Sequence, residues 1–353
     1  MADGKNSRFS YSGYLIFNGL YTTDIQGEFE GVETQEELTS QLEEKLPSLS
    51  AEYPNGPRTG YQDLELAKFL EEYDYLAEDS RLHQRHKDIA EQLIAKEFVQ
   101  EEFGQEVSIM SNETRQTGPK VDKQNAYIYW QLPDLLMIQG AKPEAQQTLR
   151  HLFQSLGIAD SRDELYTKIR PLEFDPHFLL WLIYQDHEDN SIGSGISLHN
   201  ISHVKVQGEA DFFGESAQVT GSTDIIRSTP FIEGLLKNKL PVQLVGTFEA
   251  GGQTLVADIS EQGRIHVKAD EDIDRSTKLE RLLIALHFAK EITALRQDWE
   301  FMDPKRKYVP PEFAEKLDEY ASDQGVNIDF RRDLVQELAN ERGESVSDLD
   351  IAF

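Results

Sequence analysis

The 353-residue chain contains no cysteine, which excludes disulfides, thiolate nucleophiles and cysteine-ligated metal centres. No stretch approaches the ~18 consecutive apolar residues of a membrane-spanning helix. The longest apolar run is "FLLWLIY", residues 178–184, which suits a buried core element. The opening "MADGKNSR" is polar and lacks the apolar core of a signal peptide, so a soluble, cytoplasmic protein is expected. Signature motifs of catalysis are missing too. There is no Gly-x-Ser-x-Gly and no His-Glu-x-x-His, and "GSG" at 193–195 lacks the following helix and lysine of a phosphate-binding loop.

Cations are scarce: Lys and Arg number 35 against 64 Asp and Glu, a net charge of −29. The excess is uneven. Residues 1–80 hold 5 cations and 17 anions, and the last 55 residues hold 7 and 14. Residues 81–130 hold 7 and 8, and residues 196–298 hold 11 and 15. Two internal segments are therefore nearly balanced and could present cationic patches. An acidic surface of this kind suits a halophile's high-salt cytoplasm, discourages nucleic acid elsewhere on the surface, or recruits a basic partner.

Hydrophobic residues make up 39% of the chain and aromatics 10%, enough for a packed core. "FSYSGYLIFNGLY" reads as a strand paired with "DIQGEFEG" as a hairpin. "TQEELTSQLEEKL" opens with Thr34 and Glu37 in capping-box spacing, and Leu38, Leu42 and Leu46 recur at helical spacing. The stretch from Tyr61 to Asp79 and then Ser80 to Gly104 reads as a long charged helical region, with Leu82, Ile89, Leu93, Ile94 and Phe98 helically spaced, followed by an irregular loop. Residues 125–157 read as strand, turn, strand and helix. Residues 196–268 alternate strands with one short helix at "TPFIEGLLKNK", and a leucine-rich helix closes the segment. "DPKRKYVPPEF" reads as a linker before two short helices and an acidic tail.

The order of these elements resembles the RdgC family of recombination-associated, ring-forming DNA-binding proteins. Three stretches carry the likeness: "LLMIQGAKPEAQQTLRHLFQSLG", "DIIRSTPFIEGLLKNKLPVQLVGTF" and "ADISEQGRIHVKADE". It covers roughly residues 9–300. Residues 301–353 have no counterpart, and the acidity is unusual for a DNA-binding protein. The resemblance implies a ring-like homodimer that binds double-stranded DNA without strong sequence preference, performs no catalysis and limits recombinase access. Nucleoid association and recombination proteins as further partners follow from the same likeness.

Two groups of cations are candidates for phosphate contact. Arg81, Arg85 and Lys87 in "RLHQRHK" lie on one helix, with Arg81 and Arg85 at i,i+4. They equally fit a solvated helix start. Lys237 and Lys239 end the helix at "TPFIEGLLKNK", with Arg227, Arg264 and Lys268 nearby in the expected fold. These lysines fit helix-dipole complementation as well as phosphate binding. "DPKRKY" and Arg331 in "FRRD" read as solvated charge.

Metal and nuclease chemistry have weaker support. His199 and His203 in "HNISH" are four apart but sit in strand-like surroundings. "QDHEDN" groups Asp186, His187, Glu188 and Asp189 in a polar loop. Asp134 and Lys142 flank a strand but lack the acidic-x-Lys pair of a common Mg²⁺ nuclease core. No metal site and no cofactor are assigned. The resulting expectation is an α+β fold: an elongated mixed sheet-and-helix core over 1–300 with a long charged helical arm at about 60–122, and a small helical extension over 301–353. The leading function is non-enzymatic DNA binding. An acidic protein-interaction or DNA-mimic module is the second reading and a metal-dependent nuclease the third.

Overall fold

The computed structural model describes residues 15–29, 32, 34–49, 56–66, 81–111, 114–193, 195–211, 214–220, 224–269, 278–325, 332–349 and 351. The fold is α+β, and the chain divides into two compact units, Ile16–Leu172 and Glu173–Phe353.

The first unit contains β1 (Leu15–Thr23), α1 (Gln35–Lys45), β2 (Thr59–Asp63), α2 (Arg81–Gln92), β3 (Leu93–Ser111), β4 (Thr114–Gln131), β5 (Leu135–Gln139), α3 (Lys142–Ser155), α4 (Arg162–Lys168) and β6 (Ile169–Pro171). Its strands lie in the order β2-β3-β4-β5-β1, and β6 also pairs with β1. The capping box at α1 forms as the spacing predicts. Thr34 Oγ1 accepts from the Glu37 N–H at 3.2 Å, and the Glu37 carboxylate accepts from the Thr34 N–H at 3.1 Å. Leu38 and Leu42 then point into a core shared with Phe98, Trp130, Leu149 and Phe153. At the end of α3, Gly157 takes φ +70, the left-handed conformation that glycine adopts without steric cost.

Two expectations fail here. The predicted helix over Ser80–Gly104 stops at Gln92, and the chain continues as β3, so the long arm is a β-hairpin instead of a helix. The loop expected after it is β4. Leu93 to Ser111 pairs residue by residue with Thr114 to Gln131, with one bulge after Phe103. The apolar residues Ile94 and Phe98 satisfy either a helical or an extended spacing. The partner strand "AYIYWQ", rich in aromatic and β-branched residues, decides between them. The second failure is the hairpin of β1 with residues 24–31. Residues Gln26–Glu28 form a short 3₁₀ turn, and β1 pairs with β5 and β6 instead. The start of the expected helical region fails too, since Tyr61 to Asp63 belong to strand β2 paired with β3, and residues 67–80, also expected to be helical, lie outside the described residues.

The second unit contains α5 (Pro176–His187), β7 (Ile196–Asp211), β8 (Gly214–Thr220), α6 (Thr229–Leu236), β9 (Leu240–Ala250), β10 (Gln253–Ser260), β11 (Arg264–Ala269), α7 (Lys278–Glu300), α8 (Pro304–Lys307), α9 (Glu312–Asp323) and α10 (Arg332–Arg342). The strand order is β11-β10-β9-β7-β8. The apolar run at 178–184 forms α5, capped by Asp175, whose carboxylate accepts from the His177 N–H at 2.8 Å. β9 and β10 are joined through Gly251 and Gly252, at φ +62 and +82, the conformations a two-residue type I′ turn requires.

Residues beyond 300 belong to this second unit, although the sequence reads as a separate extension. "DPKRKY" is ordered: Asp303 caps α8 by accepting from the Lys305 N–H at 3.0 Å. Trp299 Nε1 donates to the Lys307 carbonyl at 2.9 Å, and the Lys307 ammonium lies 4.4 Å from the Trp299 ring centre. α9 packs on α6.

Candidate nucleic-acid interface

Strands β9, β10 and β11 alternate in burial over most of their length. Leu244, Phe248, Leu255, Ile259, Ile265 and Val267 are fully buried, and Phe248 meets Phe288 of α7 at 5.1 Å between ring centres. With a period of two, the residues between them face the other way. That second face carries Gln243, Val245, Thr247 and Glu249 of β9, and Val256 and Asp258 of β10. Arg264, His266 and Lys268 follow along β11. All are half-buried or exposed.

Asp258 organises one corner. Gln243 Nε2 donates to its Oδ1 at 2.8 Å, and Arg264 Nη2 donates to its Oδ2 at 3.4 Å. His266, directly opposite Asp258, places Nδ1 3.7 Å from the same oxygen. Burial pushes the His266 pKa down, the Arg264 charge pushes it further, and Asp258 only partly opposes them, so the imidazole is neutral near pH 7. Lys268 stands opposite Val256, two residues along. On β7, Lys205 faces Gln243 in the strand register, and His203 contacts Gln218 and Thr220 of β8 at 3.2 and 3.0 Å. Three strand spacings separate Lys205 from β11, about 14 Å. Among the described residues, this face thus holds three cations, two carboxylates, the apolar Val245 and Val256, and otherwise neutral polar groups.

The cations named from sequence are distributed differently from expectation. Arg264 and Lys268 share this face. Lys239 does not reach the surface: it is 3% exposed, with its stem against Gly208, so it cannot serve as the phosphate contact its position suggested. Lys237 holds Glu233 at 2.6 Å on α6. Arg227 pairs with Asp224 at 3.3 Å and stacks 4.9 Å from the Tyr320 ring. Lys87 pairs with Glu91 at 3.8 Å. Arg81 and Arg85 lie on α2, with side chains outside the described residues, as is Arg331. Sequence reasoning missed Lys205 and weighed His203 only as a metal ligand, although the alternation in "SHVKVQG" carries both to the polar side of a strand.

The other candidate groups also resolve. Asp134 and Lys142 flank β5 at opposite ends, about 16 Å of extended chain apart, so they do not converge. "QDHEDN" and "HNISH" do meet. Asp186, His187, His199 and Asp224 line one cavity of about 250 Å³. Asp186 Oδ2 accepts from the Ile201 N–H at 3.3 Å, and burial holds its pKa above the usual carboxylate value. Among the described residues, no group of three or more His, Asp or Glu side chains is arranged to hold a metal ion. No helix among them is long and apolar enough to cross a membrane.

No protein-family model matches the chain, and no curated protein matches it.

Proposed function

We propose that the chain binds double-stranded DNA without catalysis and with little sequence preference, using the polar sheet face that carries Lys205, Arg264 and Lys268. The observation that carries this reading is a local inversion of charge. In a chain of net −29, this face bears more cations than carboxylates, and its neutral Gln, Thr, Ser and His groups can donate to phosphate oxygens. The cations project from paired strands, so little backbone entropy is lost on ordering them. The resemblance to the RdgC family favours the same ligand and adds a ring-like homodimer, in which two such faces surround one duplex and limit recombinase access.

The acidity elsewhere is compatible with this role. At physiological ionic strength charges are screened over about 8 Å, so a bound phosphate responds mainly to the groups beneath it. The test is fluorescence anisotropy with a labelled duplex over a salt series, comparing wild type with Arg264→Ala/Lys268→Ala. Each lost phosphate contact lowers the salt slope by about one. Binding that is absent in the wild type, or unchanged in the double variant, overturns the site. Light scattering checks the oligomer, and a particle of monomer mass at micromolar concentration overturns the ring.

A further inference from the structure

The β3–β4 hairpin changes character along its length. Near its base it lies within a sheet: β2 pairs with β3 from Lys96 to Gln100, and β5 pairs with β4 from Tyr127 to Gln131. Beyond these ladders β3 and β4 pair only with each other among the described residues. Glu102 to Glu106 on β3 and Lys120 to Gln124 on β4 are all exposed. Successive strand residues face opposite ways, so neither face of this ribbon is covered. A two-stranded ribbon on its own is marginally stable in water, and unpaired strand edges are sites of association.

One face of the ribbon carries a pattern. Lys123, Val121 and Pro119 alternate along β4 and share that face, which their partners Glu101, Phe103 and Glu106 also occupy. Phe103 and Val121 stand directly opposite each other, and at 41% and 38% they are two of the four large apolar side chains exposed among the described residues. Lys123 lies on one side of this apolar pair and Glu106 on the other, about 14 Å along the ribbon from each other. Neither has an ion-pair or hydrogen-bond partner among the described residues, and the two are too far apart to satisfy one another. Charges elsewhere on the ribbon are settled internally. Lys120 holds Asp122 at 2.5 Å on the opposite face, and Glu101 at the base is held by Arg58.

We propose that this face is an interface with a second copy of the chain, in which two ribbons stack face to face, turned end for end about a two-fold axis at the level of Phe103 and Val121. That axis places the two apolar pairs on each other. It also brings each Lys123 level with the partner's Glu106, so the charges complement each other twice across one isologous contact. A duplex does not fit this surface, because residues 101–106 and 119–124 hold four carboxylates and two lysines. An unrelated protein would have to supply a base, an apolar pair and an acid in this order, which the chain's own ribbon already does. The inference rests on the homodimer proposed above and gives it a surface.

The experiment is sedimentation velocity of the full chain at micromolar concentration. The wild type is expected to sediment as a particle of twice the 40.3 kDa chain mass. Phe103→Ser/Val121→Ser gives a monomer with an unchanged circular dichroism spectrum. Lys123→Glu and Glu106→Lys each weaken the dimer by about tenfold, and the two reversals combined restore it. Because the chain has no cysteine, Phe103→Cys introduces a single thiol. A short bismaleimide joins two copies through it, and does not join copies of Gln154→Cys, exposed on α3. A wild-type particle of monomer mass overturns this interface and the ring together. A dimer that survives Phe103→Ser/Val121→Ser, a double reversal that restores nothing, or equal cross-linking at both thiols overturns the interface and leaves the homodimer standing. Duplex binding through Arg264 and Lys268 is read separately by anisotropy, so its failure is distinguishable from failure here.

Discussion

Asp258 and Arg264 meet diagonally across the β10–β11 pair, with Arg264 Nη2 3.4 Å from Asp258 Oδ2, at the edge of the face proposed for DNA. The pair restrains Arg264 and also masks it. Asp258→Asn keeps the hydrogen-bonding shape and removes the negative charge. Duplex affinity is expected to rise about threefold to tenfold at low salt, with a steeper salt dependence. Anisotropy titration reads this directly, and weaker binding in Asp258→Asn would mean that the carboxylate aims Arg264 instead of masking it.

Lys237 and Lys268 separate helix termination from DNA contact. Lys237 is engaged with Glu233 at 2.6 Å, whereas Lys268 is exposed on β11. Each alanine substitution removes one positive charge, so a general charge effect weakens binding equally in both. The expected outcome is an unchanged salt slope in Lys237→Ala and a slope lower by about one in Lys268→Ala. Equal losses would disprove the assignment of the face.

Arg58 is the counter-ion of a buried charge. Its guanidinium lies 2.5 Å from Glu101, whose side chain is 1% exposed. Arg58→Met leaves that carboxylate buried without its ion-pair partner, which costs about 3–5 kcal/mol. Urea denaturation should show the loss as a lower midpoint. Glu101→Gln in the Arg58→Met background should restore part of it, because the uncompensated charge is gone.

His151 makes the first unit sensitive to mild acid. The Tyr61 hydroxyl lies 2.8 Å from its Nδ1, and its ring packs 4.6 Å from that of Phe98. Burial lowers the His151 pKa from the ordinary 6.5 and raises that of Tyr61, so Tyr61 donates to a neutral imidazole. Below pH 6.5 the unfolded chain takes up a proton at this position more readily than the folded one. The stabilisation is therefore complete above 6.5 and is lost as pH falls through the folded pKa. Denaturation midpoints measured between pH 7.5 and 5.5 should decline more steeply in wild type than in His151→Gln. Parallel curves would rule out His151 as the source.

Long-range repulsion predicts an unusual association rate. At about 0.01 M salt the Debye length is roughly 30 Å, so a chain of net −29 repels approaching DNA as a whole. Raising the salt to about 0.15 M shortens it to roughly 8 Å. Stopped-flow association with duplex should accelerate over that range while dissociation also accelerates. A monotonic fall in the association rate would mean that the face dominates the field even at long range.

How much could be read in advance varied with the range of the interaction. The α1 capping box involves residues three apart, and the turn at Gly251-Gly252 involves neighbours, so both were legible. The helices at 142–155 and 278–300 were legible from spacing, whereas the run at 178–184 read only as a buried element and its helical type came from the structure. The β3–β4 hairpin was not, since "LIAKEFV" satisfies two periodicities and its partner begins some twenty residues later. Lys239 failed for a related reason: its position after a helix suggested exposure, and the approach of Gly208 from another strand buried it.

The sequence by itself determined the chemical inventory: no thiol, no catalytic signature, an acidic surface and enough apolar residues to build an α+β fold. Arg264 and Lys268 were named from the sequence as cations close together in the expected fold, whereas Lys205 was not. Only the tertiary structure decided that Lys205, Arg264 and Lys268 share one face, because strand order and register depend on backbone hydrogen bonds between segments tens of residues apart. It also decided which cations are available. An ion pair such as Lys237 with Glu233 is local and could be guessed from i,i+4 spacing, whereas the engagement of Arg342 with two carbonyls more than thirty residues away arises only when α8 and α10 pack together.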